Sequence, residues 1–349
     1  MNLRTTQQAF ESRRNRPLAG LSAVPPAAAA SAELSLCTSR ALLLRLYAIV
    51  PLSLAVMLVD VLFLGGWIRR SLPSTPENLL LFSLFFNLPH ILASSLTFLD
   101  PDYATRYGKR LSTAAFGFAA LFLIFPGLIN IPAFSGAVYF WTVVHIVGQQ
   151  FGMLRLMGRI PESEHRAWRW SGFALATLIY VGTVADEMIP AGAERLVHVG
   201  SWLAFPVFLY LSLKLIRSVD TARARSYASA NVAMMATILA ASSLGFSFFV
   251  VLIPRVLHDL SAFVFYVSHD VNRNRPEPRN LAHRALAFTR LPSWAIGPFL
   301  ALAAAAPLTI HADESWAIRI ALALTLFHYF TDGFAWRSGS PHRESIRIA

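Results

Sequence analysis

The chain is expected to fold as an all-α, polytopic integral membrane bundle of about ten transmembrane helices, on three observations. It is 55% hydrophobic and only 14% charged, where an ordinary soluble domain carries about 25% charged residues. Its apolar residues come in runs long enough to cross a hydrocarbon core, which takes about 20 residues of helix. Its basic residues fall in short segments between those runs, as topology rather than a folded basic face would place them.

Residues 1–40 combine Arg4, Arg13, Arg14 and Arg16 with an Ala/Pro/Ser-rich stretch that cannot bury enough apolar surface to order itself, and read as a disordered cytoplasmic tail. The first apolar run begins late and far exceeds the about 7–15 residues of a signal-peptide core. Ten segments follow, at about 41–68, 78–100, 111–131, 133–154, 169–188, 197–216, 229–253, 255–271, 291–310 and 315–336. They are separated by helix punctuation such as Pro73 and Pro76, Pro101, Pro132, Pro190 with Gly192, Pro254, Pro276 and Pro292. The eighth is the least apolar, holding His258, Asp259, His269 and Asp270, and reads as a helix buried in the bundle. Residues 41–336 thus make the membrane domain and 337–349 a short cytoplasmic tail.

Short cytoplasmic loops hold the excess of Lys and Arg. With the N-terminus inside, the inner segments carry Arg106, Lys109 and Arg110, then four Arg between 155 and 169, four basic residues between 214 and 225, five Arg between 273 and 290, and Arg337, Arg343 and Arg347. The outer side carries only Arg69, Arg70, Arg195 and Arg255, with Asp186, Glu187, Glu194, Asp313 and Glu314. The pattern requires an even count with both ends inside. Formal net charge is +11, but its dispersal between apolar runs argues against a nucleic-acid partner. Arg so far outnumbers Lys, present only at 109 and 214, that the composition suggests the inner membrane of a high-GC bacterium.

Cys37 is the only cysteine, which excludes a disulfide framework and Cys-rich metal sites. Phosphate-cradling, dinucleotide, serine-hydrolase and zincin patterns are absent. What remains is buried polarity. An ionisable residue inside a bilayer is costly and usually marks a site or pathway. His90, with Asn87 on the same face, lies near the middle of the second segment behind Pro89; His145, with Gln149 one turn on, lies in the fourth; His269 and Asp270 end the eighth; His328 and Asp332, four apart, lie in the tenth. All fall at mid-depth or in the inner half, on four helices. His90, His145, His269 and His328 are therefore candidate metal ligands, Asp332 and Asp270 candidate catalytic carboxylates, and Asn87 and Gln149 supporting groups. Imidazole nitrogen with carboxylate oxygen suits a transition metal, iron being favoured.

His258 precedes His269 by eleven residues, about 16 Å of helical rise, so the two cannot share an ion; His258 reads as an outer-interface residue. Asp60 and Arg319, similar in depth and opposite in sign, read as an ion pair.

In its scatter of histidines through membrane spans the chain resembles the histidine-rich membrane metalloenzymes, such as the integral-membrane desaturases, hydroxylases and carotenoid oxygenases. Their paired HxxxH and HxxHH boxes are absent here, and the candidate ligands stand singly. The resemblance implies a metal-dependent oxidoreductase acting on a lipid or other apolar substrate. A proton- or ion-coupled transporter would use the same His and Asp as a relay.

Overall fold

In the computed structural model the described residues are 36–184, 189–190, 192–275, 277–337 and 339–349; the expected tail falls almost wholly outside them. The fold is helical throughout except for one two-residue strand pairing. Ten helices of eighteen residues or more stand among the described residues: α1 Arg40–Phe63, α2 Leu80–Thr97, α3 Pro101–Ile124, α4 Pro132–Gly152, α5 Glu162–Val184, α6 Glu194–Ser218, α7 Ala222–Ser243, α8 Ser247–Arg273, α9 Ser293–Ile310 and α10 Ser315–Ala335. Each overlaps one apolar segment of the sequence except α8, which takes the end of the seventh as well as the eighth. Five of them, α1, α2, α6, α8 and α9, are both long and apolar enough to cross a membrane.

α8 is the axis of the bundle. It packs against α1, α2, α4, α5, α7 and α9, and 72% of its apolar window is buried. The main hydrophobic core joins its first half to α1, α4, α5 and α7 through Phe249, Ile253, Leu257, Phe151, Trp168 and Tyr227.

The boundary between the seventh and eighth segments differs from the sequence reading. Gly245 turns the chain with φ +76°, a left-handed conformation that glycine adopts without steric cost. α8 therefore starts at Ser247 and carries Pro254 inside it. A proline in an interior turn removes one backbone bond, which the crowded surroundings of a membrane helix tolerate. Arg255, read as an outer loop charge, is buried in α8. The stretch after Asp100, read as a loop, is the first part of α3: the Asp100 carboxylate accepts from Asp102 N at 2.9 Å and caps the helix.

The Asp60–Arg319 pair does not form. Asp60 instead accepts from the backbone N–H groups of Ile68 (2.7 Å) and Arg69 (3.1 Å), capping the short helix Trp67–Ser71. Exposed N–H groups at a helix start satisfy a buried carboxylate as an arginine would. Arg319 bonds Ser315 Oγ at 2.9 Å.

Cys37–Thr38 pairs in parallel with Arg347–Ile348. The pairing brings the start of α1 to the segment after α10. At the same end Arg273 on α8 pairs with Asp100 at 2.7 Å, Arg40 Nε donates to Leu156 O beyond α4 at 2.9 Å, and Asn272 donates to Ser345 O at 2.9 Å. At the other end Arg69, beyond α1, donates to Leu244 O beyond α7 at 2.8 Å.

Candidate metal centre

Four helices deliver one histidine each to a common volume. From the true start of α8, His258 lies three turns inside the helix. The outer-interface reading of His258 fails for that reason: a helix begun at Pro254 would have left it in the first turn. His90, His258 and His328 are fully buried, and the side chain of His145 is 7% exposed. Ring centroids run 5.1 Å from His90 to His258, 4.7 Å from His258 to His145, 4.8 Å from His145 to His328 and 5.1 Å from His328 back to His90. The result is a closed ring of four imidazoles, each set edge-on to its neighbours.

α2 reaches this ring through a distortion. Residues Ser83–Asn87 form a π turn immediately before Pro89. Proline lacks the N–H that a regular α turn would use, and π turns recur at functional sites. His90 follows, its Nδ1 3.2 Å from Phe86 O and 3.3 Å from Asp259 Oδ1. Since a carbonyl only accepts, Nδ1 carries the proton and Nε2 keeps its lone pair. The same reasoning fixes His328. Ser94 spends its one hydroxyl proton on Ile91 O at 2.7 Å, so His328 Nδ1–H donates to Ser94 Oγ at 2.8 Å and Nε2 is again free.

These free nitrogens have no partner. His90 Nε2, His145 Nε2, His328 Nε2, both nitrogens of His258 and both oxygens of Asp259 are buried without a hydrogen bond. A buried polar atom left unsatisfied costs about 1–3 kcal/mol, a cost that a bound ion would relieve for several of these seven at once. Asp332 adds a carboxylate 3.8 Å from His328 Nδ1 and 3.9 Å from His145 Nε2, itself held by Tyr266 OH at 3.4 Å. Two sets, His90/His258/His328 and His145/His328/Asp332, each offer ligand atoms within 4.8 Å of one another. Tetrahedral ligands on bonds of about 2.1 Å lie about 3.4 Å apart, so either set would have to draw in by up to about 1.4 Å to hold one ion. The donor set of neutral imidazoles and carboxylate fits a transition metal.

Around the ring the remaining polar groups support the helices. Asn87 accepts from Arg255, which also faces Glu77 at 3.5 Å and stands one turn before Asp259. Gln149 Nε2 donates to Ser261 Oγ at 3.2 Å and His258 O at 3.5 Å, tying α4 to α8. Tyr329 lies against His145 with ring centroids 4.4 Å apart and planes tilted by 31°, and donates to Thr142 at 3.0 Å.

His269 and Asp270 stand in a second group, at the end of α8. His269 uses both nitrogens, Nε2 with Tyr103 OH at 2.7 Å and Nδ1 with Asp270 Oδ1 at 3.0 Å. Its ring stacks on His342 at 4.6 Å, and Asp270 Oδ2 lies 3.7 Å from His283 Nε2. Gly297 lets α9 approach closely, since a Cβ there would lie 2.6 Å from Asp270 Oδ2. Burial, then the neighbouring His269, pushes the His342 pKa well below the ordinary imidazole value. Thus the structure brings together His90, His145, His328 and Asp332 of the sequence-derived set, replaces His269 with His258, and adds Asp259. The adjacent pair His258-Asp259, repeated at His269-Asp270, was the available signal.

Compared with protein-family profiles, with curated proteins and with solved structures, the chain matches none of them.

Proposed function

We propose that the chain is a metal-dependent membrane oxidoreductase in which His90, His145, His258 and His328, with Asp332, hold a transition metal, iron being favoured. The observation that carries this reading is the convergence of unpartnered imidazole nitrogens in one buried ring. Iron is favoured because a buried His/carboxylate set suits oxygen chemistry on a lipid or other apolar substrate, which reaches a site inside a bundle from the bilayer. Bound there, the metal supplies redox chemistry. The protein's own part is to fix two imidazole tautomers through Phe86 O and Ser94, to hold Asp332 through Tyr266, and to keep water out. His269 and Asp270 stand outside this set. The ten long helices act as spans with both ends inside, in the inner membrane of a bacterium. Supporting this, the ends assigned to the basic side, the starts of α1 and α3 and the ends of α4, α8 and α10, are the ones linked by the strand pairing and by the Arg40, Asn272 and Arg273 contacts.

The test is the metal content of detergent-purified protein by elemental mass spectrometry. Stoichiometric metal is expected in the wild type, lost in His145→Ala and His328→Ala and kept in His269→Ala. Folded, metal-free wild type would overturn the reading and leave the His/Asp chain as a proton relay.

A further inference from the structure

A cleft of about 1090 Å³ opens beside the histidine ring, between α4, α10 and the segment after α10. His145 and Asp332 line its inner end, while Arg155, Arg169 and Arg343 line its mouth. His145 is nine-tenths buried, and its unpartnered Nε2 belongs to this wall. Between the two ends the walls are apolar and aromatic, with Trp141, Phe265 and Trp336. Val144, also lining the cleft, is exposed, so the cleft reaches exposed apolar surface of the bundle.

We infer that this cleft seats an anionic glycerophospholipid of the surrounding leaflet, with its phosphate on the three arginines and an acyl chain running inward to His145 and Asp332. The dimensions select a bilayer lipid. From His145 along α4 and the following turn to Arg155 is about 16 Å by helical rise, and one leaflet of a hydrocarbon core of about 30 Å is about 15 Å deep. The volume exceeds the about 300–1,000 Å³ of an ordinary small-molecule pocket. The charge selects an anion. Among the described residues Arg169 has no acidic partner and the Arg343 side chain reaches only Ile346 O at 3.5 Å, while Arg155 pairs with Glu162 and donates through Nε to His165 Nδ1. A single exposed carboxylate, Glu344, shares this mouth. Guanidinium forks bind phosphate oxygens through paired hydrogen bonds. Gly148 and Gly152, one turn apart, leave the floor bare: a Cβ at either meets nothing within 4 Å.

As a substrate assignment this rests on the metal-dependent reading; as a binding site it stands on the cleft alone. The test uses full-length protein in nanodiscs of mixed phosphatidylglycerol and phosphatidylcholine, with retained lipid and metal read from the same sample by native and elemental mass spectrometry. Wild type is expected to retain phosphatidylglycerol over phosphatidylcholine by about tenfold or more, some 1.4 kcal/mol. Gly148→Leu, which fills the cleft from a helical position with room for it, is expected to lose the retained lipid and keep its metal; Arg169→Gln is expected to bring the preference toward unity. Wild-type enrichment in both variants overturns the assignment. So does displacement by oleate with no phosphatidylglycerol held, which would make the occupant a free long-chain carboxylate. Lipid held by metal-free wild type removes the metal-dependent reading and leaves the binding site; metal without retained lipid does the reverse.

Discussion

The two histidine groups along α8 are built from the same residue types and differ in how their rings meet and how closely their ligand atoms approach. Around His258 four rings stand edge to edge, with Nε2 of His90, His145 and His328 and both nitrogens of His258 unpartnered. Around His269 the rings stack face to face with His342, and His269 itself is satisfied by a tyrosine and a carboxylate. Among the described residues only the first group brings sets of three ligand atoms within 4.8 Å of one another. Histidine near aspartate is therefore no signature by itself, and neither are leftover lone pairs, since both nitrogens of His342 and Nε2 of His283 are also unpartnered; what sets the first group apart is that its ligand atoms face one another closely.

That contrast breaks most sharply at His328, which belongs to both candidate ligand sets. His328→Ala is expected to abolish stoichiometric metal, whereas His342→Ala leaves the metal content at the wild-type level; equal loss in both would erase the distinction between the groups. A smaller effect is expected from Tyr103→Phe, which removes the bond to His269: about 1–3 kcal/mol of stability, the cost of a buried partner left unsatisfied, with no change in metal. Thermal unfolding in detergent reads the first quantity, and a coincident fall in metal would link the groups. Asp60→Ala removes the cap of the Trp67–Ser71 turn, far from either group, and is expected to cost about 1 kcal/mol.

The mildest effect concerns His165, held neutral by accepting from Arg155 Nε at Nδ1 (3.2 Å) and facing Phe151 O with Nε2 at 3.1 Å. Burial lowers its pKa. The unfolded chain then takes up a proton more readily than the folded one, so stability rises with pH and the penalty appears as pH falls below the ordinary histidine value of about 6.5. His165→Gln should flatten that slope between pH 7 and 5 in unfolding midpoints; a slope unchanged in the variant assigns it to other groups.

How much of this was legible in the sequence varies with the physics involved. Hydrophobic runs of spanning length located all ten long helices, because burial of an apolar run does not depend on which partner covers it. His90, His145 and His328 were visible as ionisable residues at costly depth. His258 was not, because Pro254 was weighted as a helix start and Gly245, the actual turn, was passed over. His269 was included on depth alone, yet depth cannot distinguish two groups separated along the same helix. Pairings at a distance, such as Arg255 with Asn87 and Glu77 or Ser94 with His328, depend on tertiary approach and leave no periodic trace.

The π turn at Ser83–Asn87 carries a consequence for how α2 tolerates changes of length. Such a turn is an α-helix holding one surplus residue. Deleting a single residue within it would restore ordinary helical bonding, and the part of α2 before the turn would rotate by about 100° relative to the part after it. His90 and Ser94 would keep their places while Glu77 swung away from Arg255. In α2, therefore, a one-residue deletion between 83 and 87 amounts to a change of facing for the upstream segment alone.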